Sequence, residues 1–113
     1  MKYRPQRIGD LIQAELSAII VREFDPPEGT LITISSVEVD EKIENAVVNV
    51  SVIPKEKIDE AMKDLEGAKG RLFRLLHERV NIRPMPFMTF RYDKGYENAA
   101  KLEKTLLEGR TGK

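Results

Sequence analysis

The chain has 113 residues, 41% of them hydrophobic and 34% charged, with no cysteine, no tryptophan and a single histidine. That length suits one domain and excludes a barrel of ~250 residues; the missing cysteine excludes a disulfide scaffold, a thiol nucleophile and a cysteine-held metal. Nineteen basic residues balance nineteen acidic ones, so the net charge is zero on a surface richer in charge than the ~25% of an ordinary soluble chain.

Residues 4–24 are predicted to form a helix. Ile8, Leu11, Ile12, Leu16, Ile19 and Ile20 follow the i, i+3, i+4 spacing of one apolar stripe. Pro5 suits a first turn, where no N–H partner is lost. Asp25-Pro26-Pro27-Glu28-Gly29 stops the helix. Residues 30–39 are rich in β-branched types and predict a strand. Asp40 to Glu44 is a polar connection, and residues 45–53 predict a second strand. Its Ala46, Val48, Val50 and Val52 share one face, with Asn49 and Ser51 on the other. So short a connection predicts an antiparallel hairpin.

Pro54 ends that strand. Residues 55–81 are helical in composition, with Ile58, Met62 and Leu65 in one stripe and Leu72, Leu76 and Val80 in another. Between the stripes stands Gly67-Ala68-Lys69-Gly70. Two glycines cost a helix roughly 2 kcal/mol relative to alanines, so a kink or break is predicted there. Residues 85–92 predict a third strand and residues 96–108 a final helix. Residues 109–113 are expected to form a short flexible tail, which leaves 1–108 as the domain. Helices and strands mix without βαβ alternation, so the class is α+β, with helices on one face of a three-stranded sheet.

Little in the chain supports catalysis, and no enzyme is expected. His77 has no nucleophile beside it. Asp40-Glu41 and Asp59-Glu60 are sequence neighbours that point apart. No metal-ligand spacing or phosphate-loop signature is present, so neither a metal, a cofactor nor a small-molecule substrate is expected. No apolar run reaches the ~20 residues of a membrane span, and no signal segment is visible. A soluble cytoplasmic monomer is expected.

Charge is unevenly spread. Residues 23–44 sum to −6, whereas residues 67–83 sum to +4 through Lys69, Arg71, Arg74, Arg79 and Arg83 against Glu78. Such a dipole can steer a polyanion to one face. The glycine pair precedes that basic segment. A break there would free N–H groups to meet a phosphate, as the G-x-x-G loop of KH domains does. The alternative is a kink packed tightly on the sheet. Phe87, Phe90 and Tyr92 on the third strand are expected in the core, with base stacking on an exposed sheet face as the alternative.

The ordered set of motifs resembles the ribosome-binding factor A family over about Arg4 to Leu107. The carriers are Arg4-x-x-Arg7-Ile8, Thr33-Ile34-x-x-Val37-Glu38-Val39, Ala46-x-Val48-x-Val50-Ser51-Val52, Ala68-x-Gly70 and Arg83-x-x-Pro86-x-x-x-Phe90-x-x-Asp93. The resemblance implies a KH-like domain of type II order, α-β-β-α-kink-α-β plus a C-terminal helix. It also implies a non-catalytic factor that binds the free small ribosomal subunit and its rRNA. The factor would assist late maturation, including rRNA 5′-end processing, with a link to cold adaptation. Lys69, Arg71, Arg74, Arg79 and Arg83, with Arg4 and Arg7, would then contact rRNA phosphates. Gly67, Ala68 and Gly70 would let the RNA backbone approach. The chain departs from the family's usual pattern at Arg71-Leu72-Phe73-Arg74 and at Phe87-Met88. A free-standing KH-type module for single-stranded RNA, or an interaction or dimerisation domain using the acidic 23–44 region, are the other readings.

Overall fold

Pro5 opens the first helix, α1 (Pro5–Glu23), in the computed structural model, which describes residues 4–94. Strands β1 (Leu31–Val39) and β2 (Asn45–Ile53) follow. A short 3-10 turn at Lys55–Lys57 leads into α2 (Ile58–Arg79), and β3 is Phe87–Tyr92. The final helix and tail expected over 96–113 lie outside the described residues.

The sheet runs β1-β2-β3. β1 and β2 form the expected antiparallel hairpin, with Ile34 opposite Val50 and Val39 opposite Ala46. A bulge between Ile34 and Ser36 shifts the register, so Val37 and Val39 continue the inward face. β3 lies parallel to β2, with Met88 opposite Ala46 and Phe90 opposite Val48. A parallel partner needs a long crossover, which α2 supplies.

The core is one cluster. Ile8, Ile12, Leu16 and Ile19 of α1 meet Ala61, Leu65, Leu72 and Leu76 of α2 over Val48 and Val50 of the central strand. Phe73 packs on Phe90 with ring centroids 5.0 Å apart. Both helices therefore cover the face that carries the alternating Ala and Val of β2, as the periodicity required.

Gly29 holds a φ of +74° in the turn after α1, where Thr30 N–H donates to the Pro27 carbonyl at 3.1 Å. A residue with a Cβ would be strained there. The β1–β2 connection is held by Asp40. Its carboxylate accepts from the Glu44 N–H at 2.8 Å and from the Asn45 side-chain amide at 3.1 Å. These bonds, led by the Asn45 side chain, hold the Asp40 carboxyl below its ordinary range.

One expectation is corrected. α2 runs as helix through Gly67, Ala68, Lys69 and Gly70 without a break. The glycine cost is local. Leu65 and Leu72, on either side of the pair, are each fully buried and keep the segment helical, so tertiary packing outweighs the propensity of a few residues. The alternative of tight packing at the glycines fails as well. A Cβ at Gly67 or Gly70 would meet nothing within 4 Å.

Candidate nucleic-acid interface

The cations of α2 divide into two sets by the neighbours they meet. Leu65, Leu72 and Leu76 point into the core. Arg71 and Arg79 fall on the side toward α1. The Arg71 guanidinium donates to the Glu23 carbonyl and lies 3.8 Å from the Glu23 carboxylate. Arg79 Nε donates to Glu15 at 2.8 Å. Both arginines tie the antiparallel helices together, and their charges are matched.

Lys69, Gly70, Arg74 and His77 meet the start of β3 instead. There they line a cleft of about 380 Å³ with Phe73 and Phe87. The Lys69 ammonium stands 5.9 Å from the Phe87 ring centroid and 3.6 Å from the Glu66 carboxylate. Arg74 is exposed and has no ion pair among the described residues. Arg83 is exposed on the loop after α2, beside Pro84 and Met85, and is likewise unpaired among the described residues. Arg4 and Arg7 are exposed at the start of α1. Because Glu15 meets Arg79 and Glu23 meets Arg71, that start lies at the end of the helix pair where α2 gives way to the Arg83 loop.

The seven predicted cations thus do not form one patch. Lys69 and Arg74 line one cleft, Arg83 shares an end of the molecule with Arg4 and Arg7, and Arg71 and Arg79 are engaged by α1. The amides of residues 67–70 lie inside the helix, so a clamp of free N–H groups is absent. What remains is two exposed glycines in a continuous helix, beside Lys69, which pairs with Glu66, and the unpaired Arg74. Each exposed glycine costs the helix up to about 1 kcal/mol, and neither makes room for a neighbour within the described structure.

The aromatic expectation divides. Phe90 is buried and Tyr92 packs on the core as expected. Phe87 instead is 65% exposed at the cleft. Its parity, opposite to that of Phe90, was the available signal.

Sequence reasoning missed a second polar assembly. On the sheet face away from the helices, Asn49 is buried and donates to Ser36 at 2.9 Å and to Glu38 at 2.6 Å. Arg91 donates to Asn49 at 2.9 Å and to Glu38 at 2.7 Å. Alternation in β2 assigned Asn49 to this face. Its partners follow only from the three-strand register, which places Ser36 and Arg91 on either side of it.

Among the described residues no group of carboxylates and histidines could hold a metal, and no helix is long and apolar enough to cross a membrane.

Comparisons with known proteins agree with this architecture. A crystal structure of ribosome-binding factor A from Thermus thermophilus superposes with a TM-score of 0.67 at 24% identity, covering 78% of this chain and 93% of that one. A solution structure of a Thermotoga maritima protein gives 0.57 at 20% identity over 80% of this chain and 91% of its own. A ribosome-binding factor A of Halothermothrix orenii is 38% identical over 106 residues, covering 93% of this chain and 87% of its own length. One from Staphylococcus carnosus is 35% identical over 93% of this chain and 92% of its own. The model of the family described as ribosome-binding factor A matches residues 4–106. With nearly its whole length matched in this way, the chain belongs to the ribosome-binding factor A family.

Proposed function

We propose that this protein binds the free small ribosomal subunit through its rRNA and assists late maturation of that subunit, including processing of the rRNA 5′ end. It acts as a soluble cytoplasmic monomer without catalysing a reaction, and leaves before translation. The observation that carries this reading is the family match over residues 4–106, in a family named for ribosome binding. The α2 flank supports a place for the contact. Lys69 and Arg74 supply charge for phosphates beside the bare backbone of Gly70, and Arg83 extends the charge past the helix end. Phosphate contacts position a protein without reading sequence, so shape and unpaired segments of rRNA would set specificity.

The test is co-sedimentation with purified free small subunits, large subunits and assembled ribosomes across a salt series. Stoichiometric binding to free small subunits, weak binding to assembled ribosomes and steep loss with salt are expected. Absence of binding to every particle would overturn the reading. Tight binding to short oligonucleotides, or salt-insensitive self-association, would then point to an RNA module or a dimerisation domain.

A further inference from the structure

Phe87 is the largest exposed apolar side chain on the described surface, yet its strand neighbours Met88 and Phe90 are both buried. Its backbone is held along the β2 side of the sheet. The Phe87 N–H donates to the Glu44 carbonyl at 2.8 Å, and the residue pairs with Asn45 in the sheet. The ring therefore stands on a backbone paired to the central strand. Lys69 stands 5.9 Å from its centroid, and Arg74 lines the same cleft. The cleft holds about 380 Å³, within the ~300–1,000 Å³ of sites for small organic groups. Gly70 opens its helical wall, since no Cβ narrows it.

We propose that this cleft takes one unpaired base of a single-stranded RNA, stacked on the Phe87 ring with Lys69 and Arg74 on the adjoining phosphates. The proposal rests on the RNA-binding reading above and names the kind of RNA this flank accepts. An aromatic face beside cations is the arrangement that binds single strands, because every base has a π-face and every linkage a charge. In a duplex the bases stack on one another and cannot offer a face to Phe87. An apolar protein side chain could cover the ring, but it would leave Arg74 at the same cleft with no counter-charge, since only Lys69 is paired, with Glu66.

The test is fluorescence anisotropy with two labelled probes, a mixed-sequence single-stranded RNA of about ten nucleotides and a blunt RNA duplex of the same composition. The proteins are wild type, Phe87→Leu and Phe87→Trp. The exposure of Phe87 makes these variants safe for folding, and melting curves check it. Phe87→Leu should weaken single-strand binding roughly 5- to 100-fold, the worth of one stacked base. It should leave duplex binding and the salt slope unchanged, since no phosphate contact is lost. Phe87→Trp should restore single-strand affinity. Equal affinity of Phe87→Leu and wild type for the single strand, equal losses on both probes, or no single-strand binding by wild type at low salt would each overturn the proposal. So would a loss confined to ribosomal particles, which would assign the ring to a protein contact. Failure of particle binding by wild type, with the Phe87-dependent single-strand affinity intact, would overturn only the ribosomal reading.

Discussion

A Cβ added to Gly9 of α1 would lie 2.7 Å from the carbonyl oxygen of Val37 in β1 and 3.6 Å from a Val39 methyl. The helix backbone rests directly on the strand backbone at this point, just past the bulge that turns Val37 and Val39 inward. Neither neighbour at the shortest distance is a flexible side chain, so a larger residue must lift the helix. Gly9→Ala gains about 1 kcal/mol of helix propensity and loses more to the clash. A net loss of about 1–2 kcal/mol is expected in urea denaturation. An unchanged midpoint would show that α1 can rise without disturbing Ile8 and Ile12.

Gly67 and Gly70 should behave in the opposite way. Both are helical, both are exposed, and a Cβ at either meets open space. Gly67→Ala and Gly70→Ala should each stabilise the fold by about 0.5–1 kcal/mol. Gly70 lines the cleft, so its variant should bind small subunits less tightly while melting at a higher temperature. A variant that gained stability at full affinity would show that the bare backbone at residue 70 serves nothing outside the chain.

The two flanks of α2 can be told apart by charge. Arg71→Gln and Arg79→Gln remove exposed pairs with Glu23 and Glu15, worth about 0.2–1 kcal/mol each, and should leave particle affinity within about twofold. Arg74→Glu and Arg83→Glu should leave stability unchanged, weaken binding and flatten its salt dependence. A larger binding loss at Arg71 than at Arg74 would reverse the assignment of the flanks.

Much of this architecture could be read from residue order. The stripe from Ile8 to Ile20 and the alternation from Ala46 to Val52 each match one period, and burial followed them except that Leu11 at the edge of the stripe is 39% exposed and Asn49 and Ser51 are buried on the opposite sheet face. The break in α2 was wrong because glycine propensity is a local quantity, whereas Leu65 and Leu72 are held by the core on both sides of the pair. The division of the cations was out of reach for another reason. Arg71 and Arg74 are three residues apart in one basic run, and only the placement of Glu23 by α1 and of Phe87 by β3 gives them different surroundings. The Asn49 assembly needed a register that no single strand encodes.

Asp40 gives the fold an acid-sensitive turn. Its carboxyl is held low by the Asn45 side chain and the Glu44 amide. A depressed folded-state value means that this contribution is present above the ordinary aspartate range and is lost as pH falls through the lowered value. The Glu44 and Asn45 amide signals should shift together at a pH below that of a free aspartate. In Asp40→Asn the shift should vanish. Titration at the ordinary aspartate value would remove the claim.

Asn49→Ala should cost about 0.5–1.5 kcal/mol, because it removes the buried amide that bonds Ser36, Glu38 and Arg91 across the three strands. Arg91→Ala should cost less, since its pair with Glu38 is exposed on both sides. Chemical denaturation of the two variants checks the order, and a reversed order would place the main support in the ion pair.

The parallel pairing of β3 has a kinetic consequence. β1 meets β2 across the short Asp40–Asn45 turn, but β3 reaches β2 only after residues 54–86 have crossed over. Loop closure costs more entropy as the loop lengthens, and local pairings form earlier. The hairpin can therefore assemble while β3 still waits for α2. Opening follows the reverse order, so amides of β3 should exchange with solvent through smaller openings than those of β2. Phe87 stands at the beginning of that last strand. The surface proposed for the RNA contact is then the part of the molecule expected to mature last and let go first, with a lifetime shorter than that of the fold beneath it.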